Sequence, residues 1–109
     1  MKRILLIDDN PFELTMLCRG LKEYEVEVHW LPRLIYARQI ISEQPKYFDL
    51  ILIDCFGTTL SMQQLVNGLK DIKVETWAVS DAYKVKGLPS KQKFVKKEDL
   101  INELKQWLP

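Results

Sequence analysis

Phe48-Asp49-Leu50-Ile51-Leu52-Ile53-Asp54 is the stretch on which the fold turns. Four aliphatic residues in succession suit a strand covered on both faces, and such strands are the habit of parallel sheets flanked by helices. The run then stops on a carboxylate. Ile4-Leu5-Leu6-Ile7 has the same character and also stops on acid, Asp8-Asp9. Val74 to Val79, around Trp77, is a third run of strand length. Val26 to Trp30 differs, because Glu25-Val26-Glu27-Val28 alternates polar and apolar residues as an edge strand does. Lys93 to Lys96 is a short fifth candidate, again edge-like.

Between these runs the hydrophobic period lengthens from two to about 3.6. Leu14, Leu17, Cys18 and Leu21 form one helical stripe, preceded by Asn10 as a candidate N-cap and Pro11 at the first helical position. Leu34, Ala37 and Ile41 form a second. Met62, Leu65, Val66 and Leu69 form a third, after Thr58-Thr59 or Ser61 as candidate caps, and Leu100, Ile101, Leu104, Trp107 and Leu108 close the chain on an amphipathic helix. Strands alternating with helices in this way predict a doubly wound α/β sheet with right-handed crossovers. Its ligand site lies outside the carboxyl ends of the strands.

The totals narrow the function. At 109 residues there is room for one domain, 1–109, and none for a separate output module. Sixteen basic against fifteen acidic residues leave a net charge of +1, so bulk electrostatics point to neither nucleic acid nor an anionic membrane. The apolar run at Ile4 to Ile7 is too short for a signal segment or a membrane span, and the expectation is a cytoplasmic protein. Cys18 and Cys55 are expected to be free thiols. Neither has a neighbouring His or Cys to complete a zinc site, since His29 is the only histidine.

At the predicted carboxyl ends stand Asp8 and Asp9, Asp54, Ser80, and the pair Lys96-Lys97. Three carboxylates brought together repel one another unless a cation compensates them. Hard oxygen ligands select a hard ion, and few protein ligands with retained waters suit magnesium better than calcium.

Ile7-Asp8-Asp9-Asn10-Pro11, then Phe48 to Asp54, then Ser80 after an apolar strand, then Phe94-Val95-Lys96-Lys97, resembles the response-regulator receiver family of two-component signalling along essentially the whole chain. The acidic pair and Asp54 lie 45 residues apart, similar to the family pattern. The resemblance implies a flavodoxin-like five-stranded parallel sheet of order 2-1-3-4-5 with helices on both faces. It implies that Asp54 is the phosphoacceptor, taking a phosphoryl group from a phosphohistidine on a sensor histidine kinase or phosphotransfer protein. Mg2+ would be bound by Asp9, Asp54 and the backbone carbonyl of Phe56, with Asp8 holding a metal-bound water. Ser80 and a lysine would contact the phosphoryl oxygens, Lys97 being the better match and Lys96 the alternative, since a one-residue slip exchanges faces. Any catalysis would be limited to the domain's own phosphorylation and dephosphorylation, with an unnamed downstream protein reading the result.

The chain departs from the family pattern at three places. Cys55-Phe56-Gly57 replaces the usual Met-Pro after the acceptor, and Asp81 follows Ser80 where a small residue is usual. A carboxylate there opposes an incoming phosphoryl group, which makes Asp81 a modulator candidate. Only seventeen positions separate Ser80 from Lys97, and Tyr83 to Ser90 carries Gly87 and Pro89, so the fourth helix is expected to be reduced or absent. These departures leave a second reading open, a degenerate receiver acting as a phosphorylation-independent interaction module. Lys84, Lys86, Lys91, Lys93, Lys96 and Lys97 fall in an acid-free stretch that reads first as a solvated edge and second as a dock for an acidic segment.

Overall fold

A computed structural model describes residues 1–55, 72–81 and 92–108. Five parallel strands, β1 (Lys2–Ile7), β2 (Val26–Leu31), β3 (Leu50–Asp54), β4 (Thr76–Ser80) and β5 (Lys93–Lys96), lie in the order β2-β1-β3-β4-β5. The alternating second strand and the short lysine-flanked fifth are the two edges, as their patterning predicts. Helices α1 (Phe12–Gly20), α2 (Leu34–Glu43) and α3 (Leu100–Trp107) are described, the last entered through a short 3-10 turn, Lys97–Asp99. The predicted third stripe, Met62 to Leu69, and the fourth-helix region, Tyr83 to Ser90, lie outside the described residues.

Some boundaries differ from the sequence expectation, each for a local reason. Strand β3 begins at Leu50 rather than Phe48, because Asp49 is occupied in clamping Arg3: its N–H donates to the Arg3 carbonyl and its carboxylate accepts the Arg3 N–H, both at 2.8 Å. Strand β4 begins at Thr76 rather than Val74 and runs on through Ser80. The Thr76 hydroxyl turns back onto the Val74 carbonyl at 2.9 Å, and pairing with β3 starts only at Ile51 opposite Thr76. Helix α1 starts one residue after Pro11. The Asn10 side chain nevertheless accepts the Phe12 N–H at 3.1 Å, and Pro11 already has helical φ of −63°.

The sheet is covered on both sides, and its residues sort by parity. Ile4 and Leu6 of β1, Leu50 and Leu52 of β3, Trp77 and Val79 of β4 and Val95 of β5 pack against Leu17 and Leu21 and against Leu100 and Leu104 of α3. The alternate residues, Leu5 and Ile7 of β1 and Ile51 and Ile53 of β3, pack against Leu34, Ala37 and Ile41 of α2. A strand with core on both faces cannot carry polar residues until it ends, which is why the two central strands read as unbroken aliphatic runs. None of the helices among the described residues is long and apolar enough to cross a membrane.

Helices α1 and α3 meet at Gly20, where an added Cβ would lie 2.5 Å from Ile101 Cδ1 and 3.0 Å from its Cγ1. The glycine is therefore there for close approach between the helices. Gly20→Ala is expected to lower stability by about 1 kcal/mol or more through overpacking. In an Ile101→Ala background the same change should raise stability by up to about 1 kcal/mol, the ordinary helix preference of alanine over glycine. Denaturant unfolding of the four proteins reads both signs, and a stabilising Gly20→Ala in the wild-type background would contradict the contact.

Candidate functional site

Parity along the strands assembles the site. Asp8 stands two residues beyond Leu6, Asp54 two beyond Leu52 and Lys97 two beyond Val95, so each continues the sheet face that packs against α1 and α3. The three side chains converge there. Carboxylate oxygens of Asp8, Asp9 and Asp54 lie within 4.8 Å of one another, with Asp8 and Asp54 buried at 1% and 3% exposure and Asp9 exposed. The Lys97 ammonium is 3.4 Å from Asp54 Oδ2 and 3.9 Å from Asp8 Oδ2.

Asp8 and the chain just beyond Asp54 are held by hydrogen bonds. The Asn10 N–H donates to Asp8 Oδ1 at 2.9 Å, the Asp8 N–H donates to the Leu31 carbonyl, and the Trp30 indole N–H donates to the Asp8 carbonyl at 2.8 Å. Beyond Asp54, the Cys55 N–H donates to the Val79 carbonyl at 2.9 Å, which locks the end of β3 to β4. Ser80 closes β4 fully buried, in register with Lys96 of β5. Lys96 itself turns to Glu98 at 3.1 Å, whereas Lys97 faces the acids. Asp81 is exposed and lines the same cleft as Asp8, Asp54 and Lys97, a cavity of about 450 Å3 that continues between α1 and α3 along Phe12, Met16 and Ile101. Phe56, the expected carbonyl ligand, lies outside the described residues.

The electrostatics of the cluster are governed first by burial and then by its neighbouring charges. Burial first, then the charge and hydrogen bond of Asp54, push the Asp8 carboxyl up to about 7, against the opposing pull of the Asn10 N–H and Lys97. Lys97 is held above the usual lysine range: burial works against its charge, but Asp54, Glu13 and Asp8 together outweigh it. Burial and the neighbouring Asp54 push the Cys55 thiol up to about 11, which keeps it protonated and unreactive beside the acid. Cys18 and Cys55 are both free.

Glu13 is the member of the site that the sequence reading does not pick out. It sits in the first turn of α1, and its Oε1 is 3.3 Å from the Lys97 ammonium. Three residues after Asn10 it occupies the place of a capping-box glutamate, a motif that would have explained it as a helix-start residue. The topology held a better signal, since a helix that follows β1 starts at the carboxyl ends of the strands and presents its first turn to the site.

Neither a scan against protein-family models nor a search of curated proteins finds a match. Solved structures do match. The N-terminal domain of a response regulator/sensory box/GGDEF three-domain protein from Carboxydothermus hydrogenoformans aligns over 96% of this chain and 89% of that one, at 20% identity and a TM-score of 0.74. A two-component transcriptional regulator AraC from Clostridium phytofermentans aligns over 99% and 92%, at 23% identity and a TM-score of 0.70. A CheY-like response regulator receiver domain protein from Methanospirillum hungatei aligns over 98% and 93%, at 19% identity and a TM-score of 0.69. The chain has the fold of response-regulator receiver domains, with the sheet order 2-1-3-4-5.

Proposed function

We propose that this chain is a receiver that accepts a phosphoryl group on Asp54 from a phosphohistidine donor. The observation that carries the reading is the convergence of Asp8, Asp9 and Asp54 with the Lys97 ammonium at the carboxyl ends of the strands, where ligands of doubly wound folds bind. An Asp54 oxygen would attack phosphorus as the histidine nitrogen–phosphorus bond breaks, leaving an acyl phosphate. That reaction asks the protein for position and charge neutralisation rather than for covalent help. Lys97 stands ready for one phosphoryl oxygen, and Ser80 closes the adjacent strand for another. Population shift between two surface states would then carry the signal to a downstream protein.

The donor set fits Mg2+. Asp9 and Asp54 would hold it directly and Asp8 through water, with the Phe56 carbonyl as a further oxygen. Bound there, the ion would neutralise the acids and the charge that develops on the phosphoryl oxygens.

Asp81 favours a second reading, the non-phosphorylated interaction module, since its carboxylate lines the cleft that a phosphoryl group would enter.

Three outcomes test this. Acetyl phosphate with magnesium should add one phosphoryl group by intact mass; Asp54→Ala should abolish it and Cys55→Ala should not. Equal labelling of wild type and Asp54→Ala would refute the acceptor. Asp81→Ala should speed labelling by about tenfold if the carboxylate opposes transfer by about 1.4 kcal/mol. Absence of labelling in both proteins would refute the phosphoacceptor reading and favour the interaction module.

The third outcome concerns pH. A carboxyl raised from its ordinary 3.8 to about 7 binds more protons in the folded state, so its contribution to stability is full below about pH 4 and lost as pH climbs to about 7. Metal-free protein should therefore be destabilised by Asp8 across that window, and Asp8→Asn should be more stable than wild type at pH 8 without metal. Magnesium affinity should rise with pH up to about 7, with proton release on binding. Thermal unfolding and calorimetry with and without magnesium measure both, and a metal-free Asp8→Asn protein no more stable than wild type at pH 8 would refute the burial argument.

A further inference from the structure

Lys97 is shared. Its ammonium lies 3.3 Å from Glu13 Oε1 and 3.4 Å from Asp54 Oδ2, with Asp8 Oδ2 next at 3.9 Å. Two different elements thus compete for one cation, the end of β3 and the first turn of α1. Glu13 is only partly exposed and lines the same cleft, so its charge is less screened than that of a free surface acid. It is not one of the three carboxylates clustered as metal ligands.

We propose that Glu13 is a positioning residue that competes with the phosphoryl group for Lys97 and so sets how tightly the domain holds that group. The inference rests on the receiver reading of the pocket. When Asp54 carries only its own carboxylate, Glu13 draws the ammonium partly off it and leaves an oxygen of the acceptor less encumbered. When a phosphoryl group arrives, Lys97 has to move its hydrogen bonds to the new oxygens, and the Glu13 charge opposes that move twice, by holding the ammonium and by facing a second anion. An acid at this place therefore favours ready loss over long retention. Removing its charge, with the shape kept, should lengthen the hold.

The test uses beryllofluoride, a tetrahedral mimic of the phosphoryl group, at fixed saturating magnesium, with magnesium affinity measured separately. Glu13→Gln keeps the length and an oxygen that can accept from Lys97, but removes the charge. It should tighten beryllofluoride about tenfold, equivalent to about 1.4 kcal/mol, while magnesium affinity changes by less than about threefold. Glu13→Asp retains the charge on a shorter arm and should fall between the two, which a merely structural role of the residue would not produce. Unchanged or weaker beryllofluoride binding in Glu13→Gln, with wild type binding normally, overturns the role of Glu13 and leaves the receiver reading standing. Equal tightening of magnesium and beryllofluoride also overturns it, because Glu13 would then act on the metal site and not through Lys97. Magnesium binding without beryllofluoride binding in every variant overturns both readings.

Discussion

The crowding of acid at the carboxyl ends of the central strands is the constraint to which the rest of the molecule answers. Like charges within 4.8 Å repel by on the order of 3 kcal/mol per pair at an effective dielectric constant near 20. A fold keeps such a cluster only if its scaffold is stiff enough to hold the backbone in place against the repulsion. Here the scaffold is the pair of central strands, whose aliphatic runs Ile4 to Ile7 and Leu50 to Ile53 are packed on one face or the other. The ends of β1 and β3 are pinned by hydrogen bonds to β2 and β4. Burial, with the Asp54 charge beside it, raises the Asp8 carboxyl, and the acids around Lys97 raise its ammonium.

Much of this was legible in the sequence because the periods are clean. A strand buried on both faces has no choice but to be aliphatic throughout, so Ile4 to Ile7 and Leu50 to Ile53 announced both their conformation and their central position. The edge strands announced themselves by alternation and by lysine. Where the sequence misled, local hydrogen bonds intervened: Asp49 clamps Arg3 ahead of β3, and Thr76 bonds back to Val74 ahead of β4. Neither bond leaves a trace in a hydrophobic pattern.

The site was legible to the extent that it is built from strand ends. Asp8, Asp9, Asp54 and Lys97 are found by asking which polar residues first interrupt an apolar run. Parity also separates Lys97 from Lys96 in space: Lys97 keeps the face of Val95, and Lys96 turns to Glu98. Glu13 escaped because a glutamate in the first turn of a helix has an ordinary explanation in helix capping and dipole compensation. Its approach to Lys97 depends on the pairing of β5 with β4 some eighty residues away in sequence.

The hydrogen bond from the Trp30 indole to the Asp8 carbonyl has a consequence of another kind. Indole emission depends on the polarity and geometry around its N–H, and this N–H is tied to the main chain of a pocket residue from a neighbouring strand. Trp77 and Trp107 meet edge to face with each other, at 6.3 Å, on the α3 side of the sheet. The protein therefore carries one tryptophan tied to its pocket and a pair at the helix packing, so rearrangement of the acids and loosening of α3 act on different indoles within a single unlabelled chain.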